Sequence, residues 1–153
     1  RHLVSDAAAE ARRFSRELRP LVLEDLGLAP ALRFLSNQLS EHDGIQVNLT
    51  VRGALGGLNS DQELVLFRIF QEALTNISKH AQATEVNALV ESDAEGILLQ
   101  VSDNGHGFNQ PFSTNEFASR GHFGLMGIQE RAQLLGGRLE LTSQSTPCAT
   151  LTL

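Results

Sequence analysis

Positive charge is in short supply. The 153 residues carry 12 Lys and Arg against 18 Asp and Glu, a formal net charge of −6. This balance argues against a broad nucleic-acid or anionic-membrane surface. A polyphosphate ligand would need its charge met locally, by a few cations and a metal ion. Cysteine is nearly missing: Cys148 is the only one. That excludes an internal disulfide and a thiolate metal cluster, and points to a reducing, cytoplasmic setting. No run of roughly 18 apolar residues exists and no signal peptide is visible. Internal repeats and low-complexity tracts are lacking too. What is there is ordinary, 41% apolar and 20% charged, enough for one domain with a proper core. The chain opens in helical sequence without an initiator Met, which reads as a piece of a longer protein, one compatible with a membrane anchor elsewhere.

The stretch Ser60 to Ala83 organises the rest. Ser60 followed by Glu63 reads as a capping box. No Gly or Pro interrupts the stretch, so one helix of about six turns is expected. At helical spacing Leu66, Phe67, Phe70, Ala73, Leu74, Ile77 and Ala81 form a core face. Glu72, Asn76, Lys79 and His80 gather on another face. A carboxylate, an amide oxygen, an ammonium and an imidazole can together hold a metal ion or phosphate and accept a proton. A solvated polar face explains the same residues equally well on this helix alone.

Before it, Leu3, Ala7, Ala11, Phe14, Leu18 and Leu21 make a narrow apolar seam suited to a helical stalk that packs on another helix, or to a surface helix. Pro20 marks a kink or an end. Gly27 reads as a helix stop, with a new helix starting around Pro30 and running to about Glu41. Ile45, Val47, Leu49 and Val51 alternate with polar residues as in a half-buried strand. After the organising helix come strands at Glu85–Val90 and Ile97–Ser102, joined by a turn. A polar loop over 109–122 precedes a helix through Leu125, Ile128, Ala132 and Leu135. Strands Arg138–Ser143 and Thr150–Leu153 close the chain around a turn at Ser145–Ala149. The expected fold is a two-layer α/β (α+β) sandwich, a mixed sheet with helices on one face, preceded by a helical stalk.

Two glycine clusters stand at strategic places. Asp103-Asn-Gly105-His-Gly107-Phe108 ends an apolar strand, where an Asp can accept from an exocyclic amine and glycines let backbone approach a flat ring. The bland alternative is an ordinary Asp-Asn-Gly turn. Gly121-His122-Phe-Gly124-Leu125 opens a helix, where backbone N–H groups suit phosphate. A hinge is the alternative there.

The order of these parts resembles the ATP-binding domain of two-component sensor histidine kinases, in the GHKL or Bergerat-fold ATPases. Glu72-Ala-Leu-Thr-Asn76-Ile-Ser-Lys79-His80 is similar to that family's N box. Asp103-x-Gly105-x-Gly107 and Gly121-x-x-Gly124 are similar to its two glycine boxes. Leu18-Arg19-Pro20 and Asp25-Leu26-Gly27-Leu28 resemble the end of the dimerisation helices in kinases that work with NarL-type response regulators. The resemblance implies residues 1–28 as a remnant of that helical bundle and 29–153 as the ATP-binding domain. It implies ATP and Mg²⁺ as cofactors, a homodimer in the full-length protein and a NarL-type response regulator as partner, with no nucleic acid. Asp103 would take the adenine amine, Asn76 would hold Mg²⁺, and Lys79 and His80 would meet phosphates. Glu72 would serve as base or orienter. Gly105, Gly107, Phe108, Gly121, His122, Gly124, Leu125 and Thr150 would complete the ATP site. Two departures stand out. Only Thr150 survives of the usual Gly-x-Gly-Thr turn. No phosphoacceptor His is evident: His42-Asp43 has the right dipeptide but lies in a turn, and His2, His106 and His122 do not fit. A GHKL-type ATPase, a serine kinase or a non-catalytic dimerisation module are the alternatives.

Overall fold

A computed structural model describes residues 20–107, 123–144 and 146–152. Most of the expected stalk, the polar loop, Phe108, Gly121 and His122 lie outside them.

Pro20 is extended and caps helix α1 (Leu21–Leu26), so a helix opens directly after it. Its fixed φ and missing N–H cost nothing at a helix start. Gly27, at φ 81°, stops α1 and adjoins α2 (Leu28–Asp43). Gly44, at φ 69°, ends α2 in the left-handed region, where its N–H donates to the Ser40 carbonyl. Strand β1 (Gln46–Arg52) then alternates as its sequence demands, with Val47, Leu49 and Val51 turned toward cover.

The organising helix, α3 (Ser60–Asn76), differs from its sequence reading at both ends. Its capping box uses Asn59 and Gln62, one residue earlier than expected: Asn59 Oδ1 accepts from the Asp61 and Gln62 N–H groups, and Gln62 Oε1 accepts from the Asn59 N–H. Asn caps at least as well as Ser, so the two candidates compete on equal terms. At the far end the α-helix stops at Asn76 and a wider π-turn follows over Ile77–Ala81. Gln82, at φ 54°, closes it. The expected single helix to Ala83 is thus two pieces with different registers.

Strands β2 (Glu85–Ser92) and β3 (Ile97–Asp103) form a hairpin, and helix α4 (Phe123–Leu134) leads to β4 (Arg138–Gln144) and β5 (Thr146–Thr152). β5 begins well before Thr150, and Gln144 pairs with Thr146. The expected turn at Ser145–Ala149 is corrected accordingly: Pro147, Cys148 and Ala149 are strand residues. The sheet order is β1-β2-β3-β5-β4, with β1 parallel to β2 and the other pairs antiparallel.

The helices cover the sheet face that carries Val86, Ala88 and Val90 of β2 and Leu99 and Val101 of β3, all buried. Phe67 and Phe70 of α3 are buried at the centre, with Leu23 of α1 and Leu32 of α2 beside them in the same core. Each such side chain contributes about 1.5–3 kcal/mol by leaving water. Asn48 and Asn87 point to the opposite, open face, where their amides hydrogen-bond across the parallel pair. This is the expected two-layer sandwich, mixed sheet included. No described helix is long and apolar enough to cross a membrane.

Candidate functional site

Asp103 ends β3 opposite Val86. Residues facing each other across a ladder share a face, so Asp103 points under the helices and not to the open side. Loss of water around it pushes its carboxyl pKa up, and the Gly105 N–H and nearby His106 pull it back in part. The chain turns immediately, with the Gly105 N–H donating to Asp103 Oδ1 at 2.8 Å. Among the described residues, no donor meets the second carboxylate oxygen, Oδ2.

Asn104 fastens this turn to the start of β2. Its Oδ1 accepts from the Thr84 and Glu85 N–H groups at 2.8 and 2.9 Å, and its Nδ2 donates to Thr84 Oγ1 at 2.9 Å. Sequence reading gave it no role. Asn side chains commonly bond nearby backbone in turns, but here the backbone bonded belongs to another segment.

The π-turn and the Asp103 segment meet at the Ala81 carbonyl. It accepts from the His106 N–H at 3.0 Å. A Cβ on Gly105 would lie 2.2 Å from that same oxygen, which explains the glycine. Gly107 takes φ 70°, a region that favours glycine.

The second glycine cluster meets the organising helix from the other side. A Cβ on Gly124 would lie 2.4 Å from Glu72 Oε1 and 2.9 Å from Asn76 Oδ1. Glu72 and Asn76 are therefore side by side, against the first turn of α4. Among the described residues, Asn76 Nδ2 is buried with no hydrogen-bond partner. An orphaned buried donor costs about 1–3 kcal/mol, so this amide N–H is poised for an acceptor that none of the described residues supplies.

Lys79 and His80 project from the π-turn into solvent. The wider turn rotates them from where an ideal helix would put them relative to Glu72 and Asn76. Leu125 is buried in the core and anchors α4 there. Thr150 pairs with Gln100 in the ladder between β3 and β5. Among the described residues, no cluster of three or more His, Cys, Asp or Glu could cage a metal. One amide oxygen beside one carboxylate suits instead a hard cation that keeps waters and shares phosphate oxygens. A separate cleft of about 310 Å³ lies at the other end of the sheet, lined by Leu58, Gln62, Ser92, Asp93, Ile97 and Leu135 among others. It contains none of the candidate site residues.

Residues 61–153 match the family model described as histidine kinase-, DNA gyrase B-, and HSP90-like ATPase. The chain belongs to this ATPase family. It is 35% identical over 151 residues to the signal transduction histidine-protein kinase/phosphatase DegS of Brevibacillus brevis, covering 99% of this chain and 38% of that protein. It is 39% identical over 138 residues to the sensor histidine kinase ComP of Bacillus subtilis (strain 168), covering 90% of this chain and 18% of that protein. It therefore spans well under half of these relatives. Among solved structures, the fold is similar to the Erythrobacter litoralis EL346 blue-light activated histidine kinase, with a TM-score of 0.69, 21% identity, and coverage of 82% of this chain and 44% of that one. It is also similar to the ATP binding domain of PrrB from Mycobacterium tuberculosis, with a TM-score of 0.57, 22% identity, and coverage of 80% and 89%. In this ATPase family member, Asp103, Gly105, Gly124, Glu72 and Asn76 are drawn to one end of the sheet, on its helix-covered side.

Proposed function

We propose that this chain is the ATP-binding catalytic domain of a sensor histidine kinase, passing the ATP γ-phosphoryl group to a histidine outside these 153 residues. One observation carries the reading: Gly124 seats the N-terminus of α4 against Glu72 and Asn76, and Asn76 keeps there a buried amide N–H that no described residue meets. That amide calls for a polar ligand, and helix N-termini favour phosphate.

In this reading the adenine amine donates to Asp103 Oδ2, while Gly105 N–H holds Oδ1. Asn76 Oδ1 holds Mg²⁺. When bound, the ion neutralises phosphate charge and orients the transferred group. Lys79 and His80 supply local positive charge to an acidic domain. Glu72 accepts the proton of the attacking imidazole, whose nitrogen bonds to the γ-phosphorus as ADP leaves. Gly107, Phe108, Gly121, His122 and Thr150 complete the proposed nucleotide contacts, with Leu125 anchoring α4 behind them. The proposal extends to a cytoplasmic setting, a homodimeric parent, a NarL-type response regulator as next acceptor and a boundary near residue 28 between helical bundle and ATP-binding domain. Leu23 is nevertheless buried in the ATP-binding domain's core, so α1 packs on that domain.

Calorimetry with ATP, with and without Mg²⁺, tests the site. Transfer of labelled γ-phosphate to a supplied helix bearing the acceptor histidine tests the activity. Absence of Mg²⁺-dependent nucleotide binding would refute the proposal.

A further inference from the structure

The dipeptide His42-Asp43 has no part in the site described above. Asp43 is the last residue of α2, at the negative end of the helix dipole. A carboxylate there is locally unfavourable by about 0.3–1 kcal/mol. Its compensation is distant in sequence: Ser78 Oγ donates to Asp43 Oδ2 at 2.6 Å. Ser78 belongs to the π-turn, between Asn76 and the exposed Lys79 and His80. Both ends of this contact are held in place. Gly44 caps α2 directly after Asp43, and the Gln46 N–H donates to the Thr84 carbonyl at 2.9 Å, tying the start of β1 to the segment that leaves the π-turn.

We infer that Asp43 is a positioning residue for the phosphate-facing turn, acting through Ser78 to keep Ile77–Ala81 in its widened register and so to set where Lys79 and His80 stand. The inference rests on the nucleotide-site reading above. A π-turn exposes its residues differently from the α-helix the sequence would otherwise continue, and such turns recur at functional sites. The Asp43–Ser78 hydrogen bond is a lateral tie to this turn from a different helix. Through it, displacement of α2 would be felt first at the phosphate end of the site; the adenine end, where Asp103 stands on β3, meets the same turn only at its last residue, Ala81.

The test compares Mg-ATP with adenosine, using calorimetry on the whole chain and on Asp43→Ala, Asp43→Asn, Ser78→Ala and the Asp43→Ala/Ser78→Ala pair. Asn keeps an acceptor oxygen for Ser78 and removes the charge. Asp43→Ala and Ser78→Ala should each weaken Mg-ATP by about 3- to 10-fold, the worth of one hydrogen bond. Adenosine affinity should stay within about 2-fold. Asp43→Asn should bind Mg-ATP at least as well as the unaltered chain, and the double variant should be no weaker than either single one. Hydrogen exchange of the unliganded protein gives an independent readout: amides of the π-turn should lose protection in Asp43→Ala and Ser78→Ala but not in Asp43→Asn. Unchanged exchange and Mg-ATP affinity in both alanine variants would overturn the inference. So would tighter Mg-ATP binding in Asp43→Ala, which would make Asp43 a mere repulsive charge, or a parallel fall in adenosine affinity, which would mean general loosening. If the unaltered chain binds no Mg-ATP, the nucleotide-site reading itself fails, and the inference falls with it.

Discussion

Replacing Asp103 by Asn tests the nucleotide site at its most specific atom. The Gly105 N–H holds Oδ1 at 2.8 Å. In the Asn variant that N–H selects the amide oxygen, so the amide Nδ2 takes the place of Oδ2. A donor then faces the adenine amine, also a donor. The lost hydrogen bond to a charged acceptor is worth about 1.5–3 kcal/mol, so Mg-ATP should bind about 10- to 150-fold more weakly. Inosine triphosphate offers a carbonyl oxygen at the same ring position, which Nδ2 can satisfy. Its affinity relative to ATP should therefore rise by at least about 10-fold in the variant. Competition calorimetry with the two nucleotides measures this directly.

The same substitution has a pH signature. Burial raises the Asp103 pKa, so the folded chain holds this proton more tightly than the unfolded chain does. Between the ordinary and the raised value, stability from this group falls as pH rises, and above the raised value the cost of the buried charge is fully present. Asp103→Asn removes that cost, so at neutral pH the variant should melt no lower than the unaltered chain. Nucleotide binding runs the other way. It needs the charged acceptor, so ATP affinity should fall as pH drops through the raised pKa, and this limb should vanish in the variant. Unchanged ATP affinity, or an equal loss for both nucleotides, would refute the reasoning.

Gly124→Ala drives a methyl into Glu72 and Asn76, and Glu72 can swing away more easily than the buried amide; a loss of about 1–3 kcal/mol in denaturant titration is expected, with a clear drop in Mg-ATP affinity. Asn104→Ala removes the ties to Thr84 and Glu85, and because the site is exposed, water should limit the cost to about 1–2 kcal/mol in the same titration. Phe70→Ala opens a void at the centre of the core and should cost about 3–5 kcal/mol, read as a large fall in melting temperature or loss of the folded state. Chelating Mg²⁺ should abolish most ATP affinity while leaving adenosine affinity unchanged, measured by calorimetry.

The strands were legible because β1, β2 and β3 each bury one face, and a period of two is hard to imitate by chance. The apolar face of α3 was legible for the equivalent reason, although Ile69 joins it unannounced. The capping box slipped by one residue because Asn59 and Ser60 are both good caps, and local chemistry does not rank them. The start of β5 is hidden in the sequence because Pro147 reads as a turn residue, whereas the hairpin partner Ser143 makes it a strand position. Asn104 shows no role in the sequence because Asp-Asn-Gly is a common turn, and nothing near it in sequence reveals that Thr84 and Glu85 are its targets.

What the amino-acid sequence determined by itself is the chemistry on offer and its order along the chain: an acid, an amide, an ammonium and an imidazole on one helix, then an acid at a strand tip, then a glycine-opened helix. Periodicity also assigned most of the elements, since burial of one face imposes a local repeat. Only the tertiary structure decided that Gly124 abuts Glu72 and Asn76, that Ala81 meets Gly105, and that the helix widens after Asn76. Those facts depend on close packing between segments far apart in the chain, where a single absent Cβ sets the distance of approach, and local sequence periodicity carries no record of such distances.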